Sequence, residues 1–337
     1  MTIPGAGTHR RQEAPQSARR QTTITRLVGS GRRLGTLVGL LALCVLMWVL
    51  TPHFLTVSNL LNVLEQTSIN AIVAVGMTYV IVSGGIDLSV GSLLALAGVV
   101  LATLLHQDVP VPLAAAAALG VGALFGSFSG VAITWGRLPP FIATLGMMSI
   151  ARGCALLFTE GRPVSGFDAA FRAVATARIA GIPAPVFVTA AVYLAGHFVL
   201  SETKFGRYVY ALGGNEEATR LSGVNVRLCK TAVYAVSGLT SGIAAVLLTA
   251  RLNSAQPIAG IMYELDAIAA VVIGGTSLVG GEGGLAGTLI GALIMGVLRN
   301  GLNLLNVSSF MQQVVIGLVI VGAVLIDTAV KAHERRS

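Results

Sequence analysis

The sequence predicts an all-α polytopic membrane protein, and three observations predict it. Hydrophobic residues make up 54% of the 337 and charged residues only 11%, less than half of the roughly one quarter that a water-facing domain carries. Mean hydropathy is +0.82. The apolar residues gather in runs that are apolar on every face, as in a helix surrounded by lipid or protein rather than one with a wet side. A membrane barrel would show alternating segments of about ten residues instead. At ~20 residues per pass, about ten passes use most of the chain, with about eight as the smaller count if the short runs re-enter. No independent soluble domain fits beside them.

Residues 1–33 form a polar tail with Arg10, Arg11, Arg19, Arg20, Arg26, Arg32 and Arg33 against one acid, Glu13. Basic segments of this kind stay cytoplasmic, and this one is expected to be disordered. The run from Leu34 to Leu50 is long for a signal-peptide core, and no small-residue cleavage site follows it at Thr51-Pro52-His53-Phe54, so it is expected to be an uncleaved first pass. Residues 51–68 then lie outside, where Ser58 is expected to cap a short interfacial helix, Asn59 to Gln66.

The second and third passes, Ile69 to Val82 and Leu88 to Leu105, flank a polar hinge, Ser83-Gly84-Gly85-Ile86-Asp87. Asp87 has two readings: it faces a pathway, or it caps the third pass by accepting from the amides of Ser89 or Val90. The fourth pass, Val111 to Trp135, carries Gly122, Gly126 and Gly130 on one face, a stripe that lets another helix approach closely. Arg152 lies in the fifth, Phe141 to Phe158, where a cation needs a partner or an aqueous cavity. An outer loop, residues 159–183, holds Arg162, Arg172 and Arg178. The sixth pass is Ala184 to Leu200. His197 near its end has no second ligand at helical spacing and reads as a satisfied or interfacial histidine.

Residues 201–230, SETKFGRYVYALGGNEEATRLSGVNVRLCK, are polar, and Lys204, Arg207, Arg220, Arg227 and Lys230 place them inside. At the centre Asn215 suits an N-cap, Glu216 and Glu217 a positive first turn, Arg220 a last turn and Gly223 a left-handed stop. A helix of two turns is unstable alone in water, so it is held by the membrane domain or docks into a partner. Four more runs follow, Thr231 to Ala250, Leu265 to Val279, Leu285 to Leu305 and Met311 to Val330. They complete a membrane domain over residues 34–330 and lead to a basic tail, residues 331–337, also inside. The hinge is faintly echoed: the stretch from Ile81 to Leu88 resembles the stretch from Val271 to Leu278, and transporters are often built from repeats.

Little here suggests an enzyme. Cys44, Cys154 and Cys229 are widely spaced and imply neither disulfide framework nor metal cluster. The glycines from Gly274 to Gly287 lack the Gly-Lys-Ser/Thr of a phosphate loop, and no metalloprotease or serine-hydrolase motif is present. An ion-coupled carrier places several ionisable groups at mid-membrane; the candidates here, Asp87, Arg152, Glu264, Asp266 and Arg299, lie mostly near the ends of the runs. Active transport then needs an ion gradient or an ATPase on another chain.

Four motifs in order carry a family resemblance: SGGIDLSVGS at 83–92, Phe141-Ile142-Ala143-Thr144-Leu145-Gly146-Met147, ALGGNEEATRLSGVNV at 211–226 and AVVIGGTSLVGGEGG at 270–284. Over roughly residues 50–330 the chain resembles the permease subunit of bacterial ribose-type sugar ABC importers. The resemblance implies a type II importer-like permease of the inner membrane, with both termini cytoplasmic. It implies a homodimer that moves a monosaccharide (ribose-, xylose- or galactose-like) by alternating access. An extracytoplasmic binding protein delivers the sugar, and a cytoplasmic ATPase holds the ATP and magnesium, so this chain needs no cofactor of its own. Asn215, Glu216, Glu217, Ala218, Arg220, Leu221 and Gly223 become a coupling helix for that ATPase. Asn70, Ser83, Asp87, Ser89 and Asn300 become candidates for the pathway, and Arg162, Arg172 and Arg178 for docking the binding protein. The competing readings are an importer permease for branched-chain amino acids or nucleosides, an ion-coupled carrier, and a membrane scaffold without cargo.

Overall fold

The computed structural model describes residues 34–334, with side chains as far as residue 325. The expected disordered tail, 1–33, and the last three residues lie outside that range. Six helices are long and apolar enough to cross a membrane: α2 (Val57–Val82), α4 (Val111–Thr134), α5 (Pro140–Thr159), α7 (Ala184–Glu202), α10 (Val226–Leu252) and α12 (Leu285–Leu304). Shorter apolar helices are α1 (Leu34–Leu50) and α3 (Val90–His106). Between α5 and α7 lie β1 (Val164–Ser165), α6 (Ala169–Thr176), β2 (Arg178–Ile179) and β3 (Ile182–Pro183). After α7 come α8 (Lys204–Gly214) and α9 (Glu216–Leu221); β4 (Ser254–Ala255) and α11 (Tyr263–Ile273) follow α10, and α13 (Ser309–Glu334) ends the fold. The strands form two minimal antiparallel pairs, β1 with β4 and β2 with β3.

The expected interfacial helix and second pass are one helix. Thr56, not Ser58, caps it, its Oγ1 accepting the Asn59 N–H at 3.3 Å. The helix runs unbroken through Ser68, whose hydroxyl donates to the Leu64 carbonyl at 2.7 Å. The expected pass from Leu265 to Val279 is shortened: α11 has 11 residues, about 16 Å of helix against the ~30 Å of a hydrocarbon core. Residues 201–230 hold two short helices and the start of α10, so the predicted helix over 215–222 appears as α9 with α8 directly before it.

α2 and α10 are central. The core includes Ile72, Val80, Leu101, Val233 and Ala244, all 0% exposed. The outer helices reverse the soluble pattern, with Leu157 80% and Leu194 71% exposed, as lipid-facing surfaces require. The glycine stripe of α4 does what its spacing predicts. A side chain at Gly122, Gly126 or Gly130 would strike the backbone of α10 at Gly238, Tyr234 or Thr231. Arg152 finds its partners in main-chain carbonyls, donating from Nη1 to Pro257 at 2.6 Å and Ala259 at 2.8 Å. It thereby pins the non-helical segment between β4 and α11 to α5.

Candidate functional site

A small cavity, about 30 Å³, lies between α2, α11 and α12. Three polar side chains on otherwise apolar helices face one another in its wall. Asp266, in the first turn of α11, is 3% exposed. Both its oxygens accept from Arg299 Nη2 on α12, at 2.8 and 2.6 Å. Asn70, midway along α2, donates from Nδ2 to the same carboxylate at 3.3 Å. Burying the carboxylate is tolerable because the guanidinium compensates its charge. Gln66, Thr67 and Gly296 complete the polar side of the wall, and Ala270, Ala292 and Met295 the apolar side. Thr67 Oγ1 and Asn70 Oδ1 are buried and have no hydrogen-bond partner.

Of the five residues expected on the pathway, the fold brings only Asn70 to this cavity. Asn300 points to the other end of α2, where its amide and that of Asn59 exchange hydrogen bonds at 2.9 and 3.0 Å. Ser83, Asp87 and Ser89 are 4%, 0% and 0% exposed and belong to the hinge. Asp87 accepts from the Ser89 amide at 2.9 Å, the Ser89 hydroxyl at 2.6 Å and the Ser237 hydroxyl of α10 at 2.7 Å. The expected bond to the Ser89 amide is present, but Ser89 is itself the N-cap of α3 and no side chain caps that helix; Ser237 is the partner that sequence reading did not supply. Ser83 Oγ donates to the Val80 carbonyl at 2.8 Å.

The hinge echo is conformational as well as sequential. α2 ends with Gly84 left-handed at φ 80°, its amide on the Ile81 carbonyl and that of Gly85 on Val80, both 2.9 Å. α11 ends the same way, with Gly275 at φ 88° and amides of Gly275 and Thr276 on Val272 and Val271 at 2.9 and 3.1 Å. Both are Schellman stops, for which glycine is the economical residue. The equivalent glycines are Gly84 and Gly275, one place off the sequence alignment, which set Gly84 beside Gly274.

The two stops meet at the end of α8. The Gly281 amide donates to the Val82 carbonyl at 2.9 Å. Gly213 packs into that junction so closely that a Cβ there would strike both Val82 and Gly281. The predicted coupling residues follow at once. Asn215 Oδ1 accepts the Ala218 amide at 2.9 Å, Glu217 pairs with Arg220, and Glu216 pairs with Lys230 at 2.5 Å. Thr219 is the buried residue of α9, whereas Leu221 is 79% exposed. Arg162, Arg172 and Arg178 are all exposed on the segment between α5 and α7. No group of His, Cys, Asp and Glu suited to a metal occurs among the described residues.

Comparison with known proteins adds the following. The family model described as branched-chain amino acid transport system / permease component matches residues 59–324. Over 296 residues the chain is 53% identical to the ribose import permease protein of Escherichia coli strain K12, covering 87% of this chain and 92% of that one. The ribose import permease protein of Bacillus subtilis strain 168 is 47% identical over 301 residues, 89% of this chain and 94% of the relative. The D-allose transport system permease protein of Escherichia coli strain K12 is 40% identical over 277 residues, with 82% and 85% covered. No solved structure matches the chain.

Proposed function

The chain belongs to the family of transport-system permease components, and from that premise we propose that it is the membrane-spanning subunit of an ATP-driven monosaccharide importer. The observation that carries this reading is the 53% identity to a ribose import permease across 92% of that protein's length. The polar side of the cavity supports it. A sugar is neutral and hydroxyl-rich, and a wall with a compensated ion pair and neutral amide and hydroxyl groups suits such cargo better than a net charge would. The family description names branched-chain amino acids, so an amino-acid cargo is the second reading. Its discriminating test is competition between labelled D-ribose and leucine for uptake.

The mechanism is alternating access by two copies of the chain in the inner membrane. About ten passes are counted by treating α11 and its glycine-rich extension as one incomplete crossing, and the basic ends place both termini in the cytoplasm. A separate ATPase binds ATP and magnesium, and an extracytoplasmic binding protein brings the sugar. α9 sits in the ATPase, with Leu221 entering an apolar groove and Glu216, Glu217 and Arg220 at its rim. Arg162, Arg172 and Arg178 meet acidic groups on the binding protein and speed its arrival. Asn70 faces the path, while Ser83, Asp87, Ser89 and Asn300 shape it from behind.

Co-purification with the cassette ATPase tests the coupling assignment. Wild-type protein is expected to retain the ATPase, and the triple variant Glu216→Ala, Glu217→Ala, Arg220→Ala to lose most of it. Full retention rejects the role given to α9. Reversing the three outer arginines to glutamate should slow capture of loaded binding protein, and unchanged capture rejects that role.

A further inference from the structure

The cavity between α2, α11 and α12 holds polar atoms whose hydrogen-bonding capacity is unused. Thr67 Oγ1 is buried and unpartnered, in a residue only 5% exposed. A threonine inside a helix ordinarily returns its hydroxyl to the carbonyl four residues back, as Thr78 does at 2.7 Å. Asn70 has spent its amide N–H on Asp266, and its carbonyl oxygen Oδ1 is left buried without a donor. Arg299 places Nη2 on the carboxylate, which leaves guanidinium N–H groups beside the opening. Leaving a buried donor or acceptor unmade is expensive, and two on consecutive turns of α2 indicate a site that something else completes.

The chemistry of that visitor follows from the wall. An anion meets Asp266, and a cation meets Arg299, so neither is favoured over a neutral group. Thr67 Oγ1 both gives and accepts, Asn70 Oδ1 only accepts and Arg299 only gives. A hydroxyl, which gives one hydrogen and accepts others, matches all three. At about 30 Å³ the space takes one hydroxyl or one water and no whole sugar ring. Gly296 lets Thr67 lie close against α12, since a Cβ on it would strike Thr67 Oγ1.

We propose that this cavity is a hydroxyl-reading subsite of the translocation path: one hydroxyl arm of the passing sugar enters it and bonds to Thr67, Asn70 and Arg299. The proposal rests on the sugar-importer reading and adds the place at which the permease itself senses its cargo. Asp266 is a positioning residue that orients Arg299 and Asn70. A subsite built to hydrogen-bond a hydroxyl rejects an analogue that lacks it, since its own groups are then stranded.

The test uses the full assembly of permease, ATPase and binding protein in proteoliposomes, with D-ribose and each of its monodeoxy analogues as probes. Every uptake is normalised to loading of the binding protein, so that the selectivity of the permease alone is read. The wild type should discriminate about tenfold against one particular monodeoxy analogue. Thr67→Val and Asn70→Ala should erase that preference for that analogue alone, while Thr67→Ser keeps it. Gly296→Ala, whose Cβ would displace the Thr67 hydroxyl, should slow D-ribose and leave the one analogue nearly untouched. If the variants scale every substrate by one factor, or the wild type treats all analogues alike, the cavity is a structural water site and the proposal is overturned. If Thr67→Val does not assemble with the ATPase, Asn70→Ser is read for the same ratio. Failure of the wild type to carry any sugar while it still hydrolyses ATP rejects the importer reading itself.

Discussion

The turn after α2 and the turn after α11 stop their helices by the same backbone device and then secure themselves differently. After α2, a buried carboxylate gathers three hydrogen bonds, one of them from a serine on α10. Thr144 and Tyr234 also donate to the neighbouring Ile86 carbonyl, at 3.3 and 3.5 Å. After α11 the anchoring bond comes from α8, where the Tyr210 hydroxyl donates to the Gly283 carbonyl at 2.9 Å. The Ser277 hydroxyl accepts the Val279 amide at 3.3 Å, the Thr276 hydroxyl accepts Gly284 at 3.4 Å, and Gly280, Gly281 and Gly283 hold positive φ. One turn is anchored on a buried carboxylate, and the other on a glycine-rich backbone that a tyrosine of α8 holds. Identical helix stops therefore set where the chain turns, and the side chains beyond them set how firmly it stays turned.

The comparison can be broken in order of expected effect. Gly213→Val drives a side chain into both turns at once, and it should cost at the upper end of the roughly 1–3 kcal/mol that overpacking takes. A melt of the detergent-solubilised protein reads this; an unchanged midpoint would show that the two turns are not tied through α8. Asp87→Ala strands Ser237 and Ser89 in the interior and should cost about 2 kcal/mol, measured in the same way. Combining it with Ser237→Ala should cost less than the two singly, and simple additivity would show that the carboxylate does not join the hinge to α10. Thr276→Val removes one long hydrogen bond and should cost under about 1 kcal/mol. A loss as large as that of Asp87→Ala would erase the difference between the turns.

Much of this architecture was legible because apolar runs and their punctuation are local. The stripe Gly122, Gly126, Gly130, the cap at Asn215 and the bond from Asp87 to Ser89 each involve neighbours within a few residues. The misreadings also have local causes. Leu265 to Val279 is apolar straight through Gly274 and Gly275, so hydropathy counts on past a stop that only the backbone shows. Gln66-Thr67-Ser68 interrupts the apolar pattern of α2, yet the helix runs on through them, with Ser68 donating back to Leu64 and Gln66 and Thr67 in the cavity wall. The cavity was visible in part. Asn70, Asp266 and Arg299 stood out as polar groups in apolar runs, but their meeting depends on how α2, α11 and α12 lie against one another, and no spacing in the sequence states that. Gln66, Thr67 and Gly296 gave no signal beyond being small or polar.

At the end of α8, Gly213 lies against Val82 and Gly281 through main chain, and Tyr210 of the same helix donates its hydroxyl to the Gly283 carbonyl at 2.9 Å. At Gly213 itself there is little slack, since no rotamer can absorb a push. Any displacement of the short helices beside it must reach both turns together, like a key lifting two pins.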